Sequence, residues 1–142
     1  MSSVIKISEA ASLGLHAMVL LADEPGKPVS TPEIAGRLGV SEAHLSKVLQ
    51  RLARAGLVVS VRGPGGGFTL AEKNGDTTLL EVYESIDGPL SDSTCLLGTP
   101  ACCGERCILG GLLEATNREV REYLESNTLS ELTCVYGGKN GD

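Results

Sequence analysis

Residues 40–70, VSEAHLSKVLQRLARAGLVVSVRGPGGGFTL, restrict the fold more than any other stretch. Leu45, Val48, Leu49 and Leu52 recur at i, i+3, i+4 and i+7, which is one apolar face of a helix. Ser41 precedes that face and suits an N-cap, because its hydroxyl can accept from the free N–H groups of the first turn. Gly56 supplies a left-handed stop. The β-branched run Leu57–Val61 follows, and Phe68–Leu70 can return beside it. Between them, Arg62–Gly67 (RGPGGG) forms a tip with little side-chain bulk. The stretch therefore predicts a helix, a sharp stop and a β-hairpin.

His44, Lys47, Arg51 and Arg54 fall on a second face of the same helix, with Gln50 at its edge. A helix fits the major groove of B-DNA, about 12 Å wide. An arginine at the hairpin tip can enter the adjacent minor groove, where negative potential attracts a guanidinium. Taken alone, the helix fits equally well as an amphipathic helix with a solvated basic face. The preceding segment separates the two readings. Ser30 and Glu33 match a capping box, Pro32 suits a first turn, and the second helix ends near Leu38. Gly39 then makes the turn into the next helix, the usual helix-turn-helix device. Two helices and a wing in this order point to double-stranded DNA. Ser41, His44 and Ser46 are candidates for base edges; Lys47, Gln50 and Arg51 are candidates for bases or phosphates. Glu42 could accept from cytosine N4, and Arg62, with Gly63 and Gly65, is the candidate wing contact.

The net charge of −6 argues against nucleic acid until its distribution is read. Residues 1–73 carry 8 Lys and Arg against 6 Asp and Glu, whereas residues 74–142 carry 4 against 12. Between Arg37 and Arg62 there are five basic residues and one acid, Glu42. Phosphate responds to the local patch, not to the total. The acidic half suits solubility and subunit contacts.

Elsewhere the pattern is mainly helical. Ile7–Ala22 reads as a first helix and Asp23–Val29 as a Pro/Gly loop. Ala71–Asp76 is a polar turn. Thr78 and Glu81 match a capping box that opens a helix to about Ile86, ended by Asp87-Gly88-Pro89. Leu90–Arg106 has no clean periodicity and reads as a loop. Leu109, Leu112, Leu113, Thr116, Val120 and Leu124 then form one apolar stripe, expected to pack on the same helix of a second subunit. Thr128 and Glu131 cap a final short helix, and residues 137–142 are expected to be disordered. The fold class is mainly α with a small β-wing: a winged helix-turn-helix plus a long C-terminal dimerisation helix. The expected division is 1–76 for DNA binding, 77–136 for the cysteine loop and dimer helix, and 137–142 as tail.

Four of the five cysteines cluster as Cys95-x6-Cys102-Cys103-x3-Cys107. Close thiolates in a loop can wrap a soft metal or an iron–sulfur cluster. Paired C-x-x-C knuckles, the usual zinc pattern, are absent. Redox thiols without a metal are the competing reading. Cys134, outside the group, reads as an ordinary thiol. The longest apolar run, Ala17–Ala22, is far short of a membrane span, and no secretory leader is evident, so a cytoplasmic protein without membrane contact is expected. An enzyme is not expected: only His16 and His44 are available as bases, and no Cys–His–Asn or Cys–His–Asp order appears.

The run LVVSVRGPGGGFTL after a helix-turn-helix resembles the signature of the Rrf-two family of bacterial winged-helix regulators, and the similarity extends from about Ile5 to Cys134. That family includes regulators that bind iron–sulfur clusters and a nitric-oxide-sensing repressor. The resemblance implies a homodimer reading an operator of two half-sites, about one helical turn or a multiple apart. It also implies three loop cysteines spaced C-x5-C-x5-C just before the long helix. Cys95 and Cys107 keep the overall separation of twelve, but the middle position is Ala101, with Cys102 and Cys103 next, and either could serve. A histidine three residues after the last cysteine is not available, because Gly110 stands there. Other relatives take a ligand from the first helix of the partner subunit; Ser12 and His16 fall at those positions, with Glu9 in reserve. With three cysteines and His16, a 2Fe–2S cluster is the simplest expectation, and 4Fe–4S the next. Redox state, nitric oxide or iron would be the signal. A cluster-free regulator controlled by thiol oxidation or a protein partner is the alternative.

Overall fold

Ser8 sets where the first helix begins. Its hydroxyl accepts from the Ala11 N–H at 3.0 Å and donates to the Asp87 carboxylate at 2.6 Å. Helix α1 consequently runs Glu9–Ala22, two residues shorter than the apolar pattern suggests. The computed structural model describes residues 6–72, 77–91, 95–97, 107–109 and 111–133. Cys102, Cys103, Cys134, the polar turn at 73–76 and the tail at 137–142 lie outside the described residues. Buried positions lie all round α1: Ala11, Leu13, Gly14, Ala17, Met18, Val19, Leu20 and Leu21. The helix is the post on which the other elements pack.

Ser30 accepts from the Glu33 N–H at 3.3 Å and opens α2, Thr31–Leu38. Gly39, at φ 68°, turns the chain into α3, Glu42–Arg54, capped by Ser41 as its sequence predicts. Leu45, Val48, Leu49 and Leu52 are the buried face of α3. Strands β1 (Val58–Val61) and β2 (Gly67–Leu70) pair antiparallel, with Val58 opposite Leu70 and Val61 opposite Gly67.

The hairpin is joined to the body through Val29, which the sequence pattern leaves in a loop. The Val29 N–H donates to the Phe68 carbonyl and the Phe68 N–H to the Val29 carbonyl, both at 2.9 Å. The pairing brings backbones so close that a Cβ on Gly67 would lie 2.3 Å from the Val29 carbonyl oxygen. Glycine at 67 is therefore required by contact as well as by its φ of 153°.

Thr78 and Glu81 form the full capping box at 3.1 and 3.2 Å, opening α4, Leu79–Asp87. Helix α5 spans Leu112–Ser126 and starts after Gly111, at φ 84°, so Leu109 belongs to the preceding turn and not to the helical stripe. The last element is a single 3-10 turn, Leu129–Leu132, with the Glu131 carboxylate accepting from the Thr128 N–H at 3.3 Å. Backbone bonds from Leu79 to Asn127 (3.0 Å) and from Leu129 to Thr77 (2.9 Å) fasten this turn to the start of α4. One cluster of buried side chains runs from α1–α3 and Val58 through Leu79, Leu80 and Val82 to Leu124 and Leu129. Among the described residues no helix is long and apolar enough to cross a membrane.

Candidate nucleic-acid interface and cysteine loop

The apolar face of α3 is committed to the core, which turns Glu42, Lys47, Gln50, Arg51 and Arg54 outward. His44 and Ser46 are half-buried on the same helix. Ser41 is exposed, but its hydroxyl oxygen already accepts from the His44 N–H at 3.3 Å, so its first role is the cap. The helix N-terminus faces solvent with its positive dipole end, which favours a phosphate or a base acceptor there.

Two contacts on α3 are non-local. The His44 Nδ1 lies 3.6 Å from the Glu9 carboxylate at the start of α1, ion-pair range and slightly beyond a hydrogen bond. The Arg51 guanidinium donates to the Ile86 carbonyl at 3.5 Å, which sets a cation at the negative end of α4. Arg51 thereby ties the recognition helix to the last turn before the cysteine loop. Sequence periodicity places Arg51 among candidate phosphate contacts and carries no signal for this bond, because its partner is 35 residues away.

The wing tip projects Arg62, Gly63, Pro64 and Gly65 into solvent. The Gly66 N–H closes the tip on the Gly63 carbonyl at 2.9 Å. Nothing lies within 4 Å of where a Cβ would stand on Gly63 or Gly65, whereas Gly66 would meet the Val61 carbonyl at 2.3 Å. The glycine run thus serves the turn in two ways: Gly66 and Gly67 avoid backbone clashes, and Gly63 and Gly65 supply left-handed φ of 97° and 74° while leaving open space beside Arg62.

On α1, the exposed His16 donates from Nδ1 to the Ser12 carbonyl at 2.6 Å. In the neutral ring this bond puts the lone pair on Nε2, the arrangement common in histidines that bind metal. Cys95 is half-buried and Cys107 exposed. The Leu109 N–H donates to the Cys107 sulfur at 3.4 Å. The donor set, two described thiols with a backbone N–H on one of them, suits a soft metal or an iron–sulfur cluster. Among the described residues no three metal-ligating side chains converge, and Cys102 and Cys103 are not among them.

The flanks of the loop are apolar and exposed: Leu96, Leu97 and Ile108, the last at 90%. Leu112 and Tyr123 on α5 are exposed too, Leu113, Thr116 and Val120 are half-buried, and Leu124 alone of α5 is buried. Arg121 donates to the Leu90 carbonyl at 3.2 Å, fixing the start of the loop to α5.

The comparisons with known proteins agree with this geometry. Residues 7–134 match the family model Rrf2, described as an iron-dependent transcriptional regulator. The chain is 36% identical over 115 residues to the HTH-type transcriptional regulator IscR of Cronobacter sakazakii, covering 80% of this chain and 70% of that protein. Among solved structures it resembles CymR, the global cysteine regulator of B. subtilis, with TM-score 0.78 and 31% identity over 93% of this chain and 98% of the other. It also resembles T. potens IscR, with TM-score 0.71 and 27% identity over 98% and 93%. The helix-turn-helix, the glycine-rich wing and the helix beyond the cysteine loop all lie inside the matched span. This chain therefore belongs to the Rrf2 family of transcriptional regulators and is not an enzyme.

Proposed function

We propose that the protein is a homodimeric, sequence-specific DNA-binding regulator whose DNA affinity or site choice is set by an iron–sulfur cluster held on its cysteine loop. The observation that carries the reading is Cys107: it keeps its separation of twelve from Cys95 and receives the Leu109 N–H on its sulfur. Cys95, Cys107 and one of Cys102 and Cys103 would hold the cluster, with His16 of a second copy as the fourth ligand through Nε2. A bound cluster supplies a charge and an occupancy that respond to redox state, nitric oxide or iron. The chain's own residues do the rest. Recognition-helix side chains read two half-sites about one turn or a multiple apart, and Arg62 enters the minor groove beside them. Arg51 and Arg121 fasten both ends of the segment between α4 and the loop, through Ile86 and Leu90, so a change in the loop reaches α3 through the end of α4. The exposed side of α5, with Leu112 and Tyr123, joins the two copies, and the acidic C-terminal half stays clear of phosphate.

The test is the absorption spectrum of protein purified without air, with iron and sulfide counted per chain. Visible absorption with about two irons per chain supports 2Fe–2S and about four supports 4Fe–4S. Colourless protein that takes up no cluster on reconstitution contradicts the cluster. A second reading would then apply, in which adjacent Cys102 and Cys103 act as redox thiols or a protein partner sets activity. The likeness to a structure named a cysteine regulator, and the displaced middle cysteine, favour that reading over other cluster-free ones.

A further inference from the structure

We infer that Glu9, outside the recognition helix, determines which base His44 accepts. The inference rests on the sequence-specific DNA binding proposed above and goes beyond it in naming the residue that sets the readout. Three observations converge. His44 stands in the first turns of α3, the part of a recognition helix that meets base edges. Its Nδ1 faces the Glu9 carboxylate at 3.6 Å. The backbone at Glu9 is fixed, because Ser8 beside it is tied to both Ala11 and Asp87, and the exposed Glu9 side chain reaches His44 from there.

A carboxylate beside Nδ1 attracts an N–H and repels a lone pair, so the neutral ring carries its proton on Nδ1. The opposite nitrogen, Nε2, is then an acceptor. In the major groove an acceptor matches the exocyclic amino group of adenine or cytosine and clashes electrostatically with guanine O6 or thymine O4. Without Glu9 the other tautomer becomes equally available, its Nε2–H matches guanine or thymine, and the discrimination collapses. Glu9 is a positioning residue in this scheme: its effect on DNA passes through the imidazole. A merely repulsive carboxylate near the backbone would instead lower affinity for every sequence alike.

The experiment is selection of binding sites from duplex DNA with a randomised core, using the full chain purified without air, at one fixed pH and salt concentration. His44→Ala identifies the position that His44 reads. Wild type is expected to prefer adenine or cytosine there. Glu9→Ala is expected to lower that preference roughly fivefold, at that position alone. Glu9→Gln, whose amide oxygen can still accept from Nδ1–H, is expected to retain most of it. Both variants change an exposed side chain, and unchanged helical circular dichroism confirms the fold. Glu9→Ala that selects the same bases as wild type overturns the inference. So does a uniform change of affinity in Glu9→Ala and Glu9→Gln with base preference intact. Wild type that selects no sequence at all overturns the DNA-reading proposal itself, and this inference with it.

Discussion

Residues 6–72 bury most of their apolar side chains: α1, the inner face of α3 and Val58 share a core with Leu79, Leu80 and Val82 of α4, with Leu45, Leu49 and Leu52 fully inside, although Ile7, Val59 and Val61 are exposed. The described residues between Cys95 and Ser126 do the reverse. Leu96, Leu97, Ile108, Leu112 and Tyr123 are exposed, and α5 buries only Leu124. The first half is closed by packing; among the described residues the second leaves apolar side chains and the Cys107 thiol exposed. If the second half responds to a bound group, as proposed, that group must contact its two states differently, since only differential contacts shift an equilibrium.

The largest expected effect lies in the closed half. Leu49→Ala removes a fully buried side chain and is expected to cost about 2–5 kcal/mol in denaturant unfolding. A loss well below that range would break the contrast, by showing that the α3 face is as loosely packed as α5. Next comes Leu112→Glu, on the exposed side of α5. It is expected to weaken self-association by about 2 kcal/mol in sedimentation equilibrium while leaving helical circular dichroism unchanged. Unaltered association would take Leu112 out of the dimer surface. Smallest is Arg62→Ala at the wing tip, expected to weaken DNA binding roughly tenfold and to lower the salt slope by about 1. The same variant should leave the melting temperature of the protein unmoved, because Arg62 is exposed and outside the core.

Local signals wrote much of the first half legibly. Gly39 ends α2, Ser41 opens α3, and the leucine spacing of α3 names its buried face; beyond the wing, Thr78 and Glu81 close their box on α4. Each depends on residues within one or two turns. Contacts between distant segments left no such trace. The Val29–Phe68 pairing that holds the wing, the Arg51–Ile86 bond and the His44–Glu9 approach all join positions more than 30 apart. Ser8 as a cap was hidden by the apolar pattern continuing back to Ile7, and Gly111 shortened α5 at a residue that the leucine stripe passes over. At the site, residue types were legible in the cysteine spacing, but His16 gained its argument from the Ser12 carbonyl, a bond whose geometry only the helix supplies.

The central claim is that the cysteine loop governs an otherwise complete DNA-reading head. The most direct measurement is operator affinity of the same preparation with its cluster intact and after the cluster is removed, at one fixed salt concentration. The affinities are expected to differ by at least roughly tenfold on one class of site, with dimer mass unchanged. Equal affinities for both forms on every selected site would contradict it.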